Sequence, residues 1–108
     1  MQRSQGQRRQ SGLAERSADL SAEVAARVCE LFEVSPVVLF DGRERAGNVV
    51  TARALFFYVM HLRWKHSFNE LEQITGFARD AIRDGVLLIS GQLKVSGEIR
   101  QKAQACGV

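Results

Sequence analysis

Long apolar runs are missing from this sequence. The longest, Ala54 to Met60, is cut off at once by His61 and Arg63. A membrane-spanning helix needs about 18 or more apolar residues, so none is expected. The N-terminal segment carries no apolar stretch of the kind that marks a secretory signal, so none is expected there either. Cysteine is scarce. Cys29 and Cys106 form no C-x-x-C pair, and the expectation is a buried Cys29 and a free tail thiol in a reducing compartment. His61 and His66 are five apart and do not stack on one helical face. No metal and no cofactor are assigned. The catalytic signatures G-x-S-x-G and H-E-x-x-H are absent, as is a phosphate-cradling glycine loop. Glu70 and Glu72 are two apart on a helical pattern and point to different sides. An enzymatic role is not expected.

There is no strand alternation, no internal repeat and no heptad pattern. What is present is helical periodicity in a chain of 108 residues with 45% apolar content, the size of one domain. Val24, Val28, Leu31 and Phe32 recur at three- and four-residue steps and predict a helix over 21–33, capped by Ser21. Ser35 followed by Pro36 signals a short helical turn that brings Leu39 and Phe40 inward. The segment 41–48, DGRERAGN, is a loop by composition. Residues 49–65 read as a long central helix with Ala52, Leu55, Phe56, Val59, Met60 and Leu62 inward. Ser67 with Glu70 forms a capping box for a helix over about 68–74, and Gly76 supplies a turn. The next helix starts near Ala78, hides Ala78 and repeats Ile82, Val86, Ile89 and Leu93, with Ser90–Gly91 as a candidate break. A last segment, 92–103, is anchored by Leu93, Val95 and Ile99. The fold class is therefore all-α, a compact five- to six-helix domain over 18–103. A flexible basic tail over 1–17 precedes it, and a short tail over 104–108 follows.

The net charge is +3, and it is unevenly distributed. Residues 1–16 carry +3 from Arg3, Arg8, Arg9 and Arg16 against Glu15. Residues 17–41 sum to −4 and 42–65 to +4, and the remainder is neutral. An acidic end and a basic end are expected in the folded part. A basic segment suits a polyanion, whereas the neutral total argues against tight, indiscriminate phosphate binding.

The two helices around Gly76 raise the question of a helix-turn-helix. In that arrangement the N-terminal residues of the second helix reach base edges in the major groove. Arg79 and Arg83 are four apart and so share a face. Arginine can bond guanine bidentately, and Asp80 can accept from a cytosine amine. The alternative is an αα-hairpin that closes a core and carries ordinary surface charges.

A resemblance bears on that choice. VCELFEVSPVVLF, RERAGNVVTARALFFYVM and SFNELEQITG follow one another as similar elements do in the C-terminal DNA-binding domain of the bacterial replication initiator DnaA. That domain is a Trp-repressor-like helix-turn-helix. Val50, Ala52, Arg53, Leu55 and Tyr58 keep the pattern of its long helix, and Ser67, Glu70 and Gly76 that of its hairpin. The likeness covers about 65 residues. The signature after the turn, G-R-D-H-T-T-V, is not kept: Gly76, Phe77, Ala78, Arg79, Asp80, Ala81 and Ile82 stand there. Inherited site specificity is therefore not expected.

The resemblance implies phosphate or minor-groove contacts from Arg43 and Arg45, a backbone contact from Arg53, and major-groove contacts from Arg79, Asp80 and Arg83. With Ser67 and Phe77 these form the candidate DNA-binding set. The alternatives are a solvated loop for Arg43 and Arg45, and pairing of Arg53 with Asp41 or Glu44. Trp64 reads as a core cap or a partner anchor. Leu87 and Leu88 read as covered by the C-terminal segment or as an interface. The expected function is a double-stranded DNA-binding transcription regulator in the cytoplasm, associated with the nucleoid, with phage-related gene control a fitting context. RNA polymerase or another regulatory protein is a further candidate partner. The alternatives are a protein-interaction adaptor on the same fold and a replication-initiation accessory factor.

Overall fold

A computed structural model describes residues 19–108 of the chain. The expectations for the tail over 1–17 lie outside the described residues. Among those described, six helices and no strand occur: α1 (19–32), α2 (Pro36–Leu39), α3 (Gly47–Leu62), α4 (Phe68–Thr75), α5 (Arg79–Val95) and α6 (Gly97–Ala105). The all-α expectation holds.

α3 is the axis of the core. Val49, Ala52 to Phe57, Val59 and Met60 are all buried on it. So many consecutive buried positions require neighbours on several sides, as expected for a helix apolar nearly all round. α2, α4 and α5 pack directly against it. α1 adds Val24, Ala25, Val28 and Cys29 to the same core, and α6 adds Ile99 and Ala103. Phe40, Phe56, Phe57 and Phe77 form a chain of edge-to-face ring contacts with centroids 5.1 to 5.7 Å apart. α3 and α5 approach closely at Gly85. A Cβ built there would lie 3.2 Å from Ala54 Cα and 3.3 Å from Phe57 Cδ2.

The helix ends follow local chemistry. α1 stops where Glu33 turns left-handed at φ 56° and the Val34 amide donates to Cys29 O at 3.0 Å. Ser35 caps α2 with Pro36 in the first turn. Lys65, at φ 63°, reverses the chain between α3 and α4, and the His66 amide donates back to Met60 O. His61 Nδ1 lies 2.8 Å from His66 O, which fixes its proton on that nitrogen, and its ring stacks on Phe68.

Several expectations are corrected. The candidate break at Ser90–Gly91 is not used, and the repeat through Leu93 holds. Ile89 and Leu93 continue the inward stripe across it, and one interior glycine costs a helix only about 1 kcal/mol. The break falls at Ser96, whose extended backbone ends α5 and whose Oγ caps α6. Val95 is 82% exposed and anchors nothing, and Leu62 also faces out. Ala78, read as hidden at the start of the second helix, is exposed and stands at its N-cap. Residues 104–108 are not a loose tail. α6 runs to Ala105, and Cys106 and Val108 pack against the core. Trp64 stands partly exposed beneath the Arg63 guanidinium, beside Leu20 and Val24 of α1.

Candidate nucleic-acid interface

α4, Gly76 and α5 form the expected hairpin. Ser67 Oγ accepts from the Glu70 amide at 3.0 Å, and Glu70 Oε1 accepts from the Ser67 amide at 2.7 Å. These bonds hold the Glu70 carboxyl below the usual range, the backbone amide of Ser67 being the largest cause. Ser67 thus uses its hydroxyl as a cap. Gly76 is left-handed at φ 80° and ends α4, the position that glycine fills without strain. Thr75 Oγ1 then accepts from the Phe77 amide and tightens the turn.

Arg53 has a different place from the other arginines. It is only 9% exposed. Its Nε donates to Leu39 O at 2.7 Å, and one Nη donates to Asp41 O at 2.7 Å and to Glu44 O at 3.4 Å. It also lies 5.0 Å over the Phe77 ring. Burial is the largest influence on its pKa and pushes it down. Pairing around the helix start is thus what the side chain does, through main-chain carbonyls. Arg53 ties the loop over 41–46 to α3 and sets where Arg43 and Arg45 stand.

Both loop arginines are exposed. Asp41 accepts from the Arg43 amide at 3.0 Å and from Arg43 Nε at 3.2 Å. The amide bond is the largest cause of a lowered Asp41 pKa. Arg45 borders a groove of about 630 Å³ between this loop and α5. Phe40, Phe57 and Phe77 line it with Arg53, and Ala81, Asp84 and Leu88 form its α5 side. Phe77 is half-buried in this wall, 3.5 Å from where a Gly42 Cβ would sit.

Arg79 and Arg83 lie on the other flank of α5. Arg79 approaches Glu72 of α4 at 3.9 Å. Arg83 lies 3.7 Å from Asp80 and 3.9 Å from Asp84. All of these side chains are well exposed, so the pairs are weak and exchangeable. The inward stripe of Ile82, Val86 and Ile89 puts Asp80 and Asp84 on the opposite, outward pole. The first turns of α5 therefore carry acids at the pole and cations on one flank, and Arg45 of the loop stands across the groove from the other.

The +4 segment over 42–65 does not form one basic end. α3 separates its halves: sixteen residues at about 1.5 Å each put Arg63 and Lys65 roughly 24 Å from the loop. The sequence pattern does not show this, because it orders charge along the chain and not across the surface. Nor does it show the groove, whose walls come from three separate segments.

No described group of three or more His, Cys, Asp or Glu residues is placed to hold a metal ion. No described helix is long and apolar enough to cross a membrane. Burial raises the pKa of Cys29 and of Cys106, which disfavours their thiolates. No family model, curated protein or solved structure matches the chain.

Proposed function

We propose that this chain binds double-stranded DNA through the α4–α5 hairpin and acts as a small transcription regulator. The observation that carries this is the pair of cationic flanks beside the free N-terminal turns of α5. Arg45 stands across the groove on one side, and Arg79 and Arg83 on the other. A helix lying in a major groove about 12 Å wide has a phosphate wall on each side, and flanking guanidinium groups suit both walls. Asp80, on the pole between them, suits a cytosine amine. The resemblance to the DnaA domain points to the same hairpin, while its missing signature points to a different site.

The test is binding of mixed-sequence duplex followed by fluorescence anisotropy across a salt series. Replacing Arg43 and Arg45 together by Ala is expected to weaken every sequence and to lower the salt slope by about 1 for each phosphate left without its arginine. Arg79→Ala is expected to weaken binding too, and Asp80→Ala to relax preference at one position. Affinity that survived all these changes and vanished on deletion of residues 1–16 would replace this reading with that of a basic tail on an adaptor. Leu87 and Leu88 favour that second reading. They stand 60% and 38% exposed, and α6 does not cover them.

A further inference from the structure

The groove between the loop over 41–46 and α5 holds a feature that the fold does not use up. Its volume of about 630 Å³ falls within the roughly 300–1,000 Å³ of small-molecule sites, which are mostly apolar with a few placed polar groups. Phe40, Phe57, Phe77 and Leu88 supply the apolar walls. Arg53 is the placed polar group. Its Nε donates to Leu39 O, and its Nη2 donates to Asp41 O and Glu44 O. Nη1 carries the remaining pair of N–H groups, and no described residue accepts from it. Nor is Nη1 sealed in. Among the described residues, His66 Nδ1 is the one fully buried side-chain nitrogen or oxygen that lacks a partner. Nη1 therefore reaches open space, and the open space that Arg53 borders is the groove. A side chain nine-tenths buried thus offers a fixed, unpartnered cationic donor beside three phenylalanine rings.

We propose that this groove binds a flat, apolar monocarboxylate, in the simplest case an aromatic acid. The carboxylate accepts from Arg53 Nη1, a hydrogen bond strengthened by charge on both partners. The ring lies among the phenylalanines, whose edges and faces suit another aromatic ring. Charge complementarity sets the class. Arg45 adds a second cation to the lining and Asp84 one anion, so the groove carries a single net positive charge. A monoanion neutralises it. A dianion such as a phosphate ester sets surplus negative charge before Asp84, and a neutral ring leaves Nη1 without an acceptor.

This site is independent of DNA binding. One consequence does rest on the DNA reading: the acid fills the space between Arg45 and the first turns of α5, so it competes with duplex DNA.

Amide NMR on the isotope-labelled full chain, titrated with naphthoate to about 5 mM, tests the site without DNA. The expected result is saturable shifts centred on the amides of Gly42, Gly76 and Gly85, which border the groove. Neutral naphthamide and dianionic naphthyl phosphate are each expected to bind at least about tenfold more weakly. Ala81→Trp fills the groove from its α5 side, at an exposed position that leaves the core intact. It is expected to weaken naphthoate at least about tenfold. Arg53→Met is expected to bring naphthoate down to the affinity of the amide, and Asp84→Asn to narrow the gap between the phosphate ester and the acid. If Arg53→Met does not fold, the preference of the parent chain for acid over amide decides the same point. Shifts that do not saturate by about 5 mM overturn the proposal. So does an acid that binds no better than its amide, or one indifferent to Ala81→Trp. An acid that binds as expected but is not displaced by duplex upholds the site and counts against the DNA reading alone.

Discussion

α3 and α5 are almost equal in length, 16 and 17 residues, and pack against each other, yet they meet their surroundings differently. α3 buries nine residues, including an arginine. α5 buries only Ile82, Val86 and Ile89, and leaves leucines in solvent. The first helix is specified by this chain alone: every side has a neighbour, and even its charge is used internally. The second is specified on one side only. Its remaining sides carry the features that the fold does not explain, namely acids at the pole, cations on one flank, and an apolar stretch around a glycine. Function is sought where the fold leaves choices unexplained, and that is α5.

The largest effect that would sharpen this contrast is expected at Arg53. Arg53→Met keeps much of the apolar stem and removes the guanidinium. It leaves the Leu39 and Asp41 carbonyls without their 2.7 Å donors. Bonds from a charged donor contribute about 1.5–3 kcal/mol each, with strong non-additivity, so a loss of roughly 2–4 kcal/mol is expected in urea unfolding. Amide exchange over residues 41–46 should also accelerate, because the loop loses its tie to α3. If stability were unchanged and only DNA affinity fell, Arg53 would be a surface residue and the contrast between the helices would weaken.

Local chemistry is the part of this fold that can be read from the sequence. The Ser67–Glu70 capping box, the left-handed Gly76 and the Ser35–Pro36 start all act within a few residues, and each stands where its spacing indicates. The inward stripe of α5 is legible for the same reason. Properties set across the chain are harder to see. Arg53 reads as one more cation in a basic segment, because its carbonyl partners lie 9 to 14 residues away in a loop whose path the sequence does not show. Gly91 reads as a break, because composition alone does not say whether neighbouring turns hold a helix through a glycine. Leu62 fits the apolar period but sits at a helix end, where the core has run out, and Val95 belongs to the outward side of α5 because that helix continues through Gly91.

The smaller and finer test compares two glycines on one helix. Gly85 faces α3 and Gly91 faces away. At both positions, alanine gains up to about 1 kcal/mol of helix propensity. At Gly85 that gain meets a steric cost, since the new methyl would lie 3.2 Å from the backbone Ala54 Cα and 3.3 Å from the buried Phe57 ring. Neither neighbour is the free end of a flexible side chain, and overpacking of this kind costs about 1–3 kcal/mol. Gly85→Ala should therefore destabilise the chain by roughly 1 kcal/mol net in chemical denaturation. Gly91→Ala should raise monomer stability by a little under about 1 kcal/mol, because no atom lies within 4 Å of the added methyl. Measured at low concentration, the two variants should move the midpoint in opposite directions. A Gly91→Ala chain no more stable than its parent would show that the open space around this glycine is used within the fold, and the contrast between the two faces of α5 would weaken.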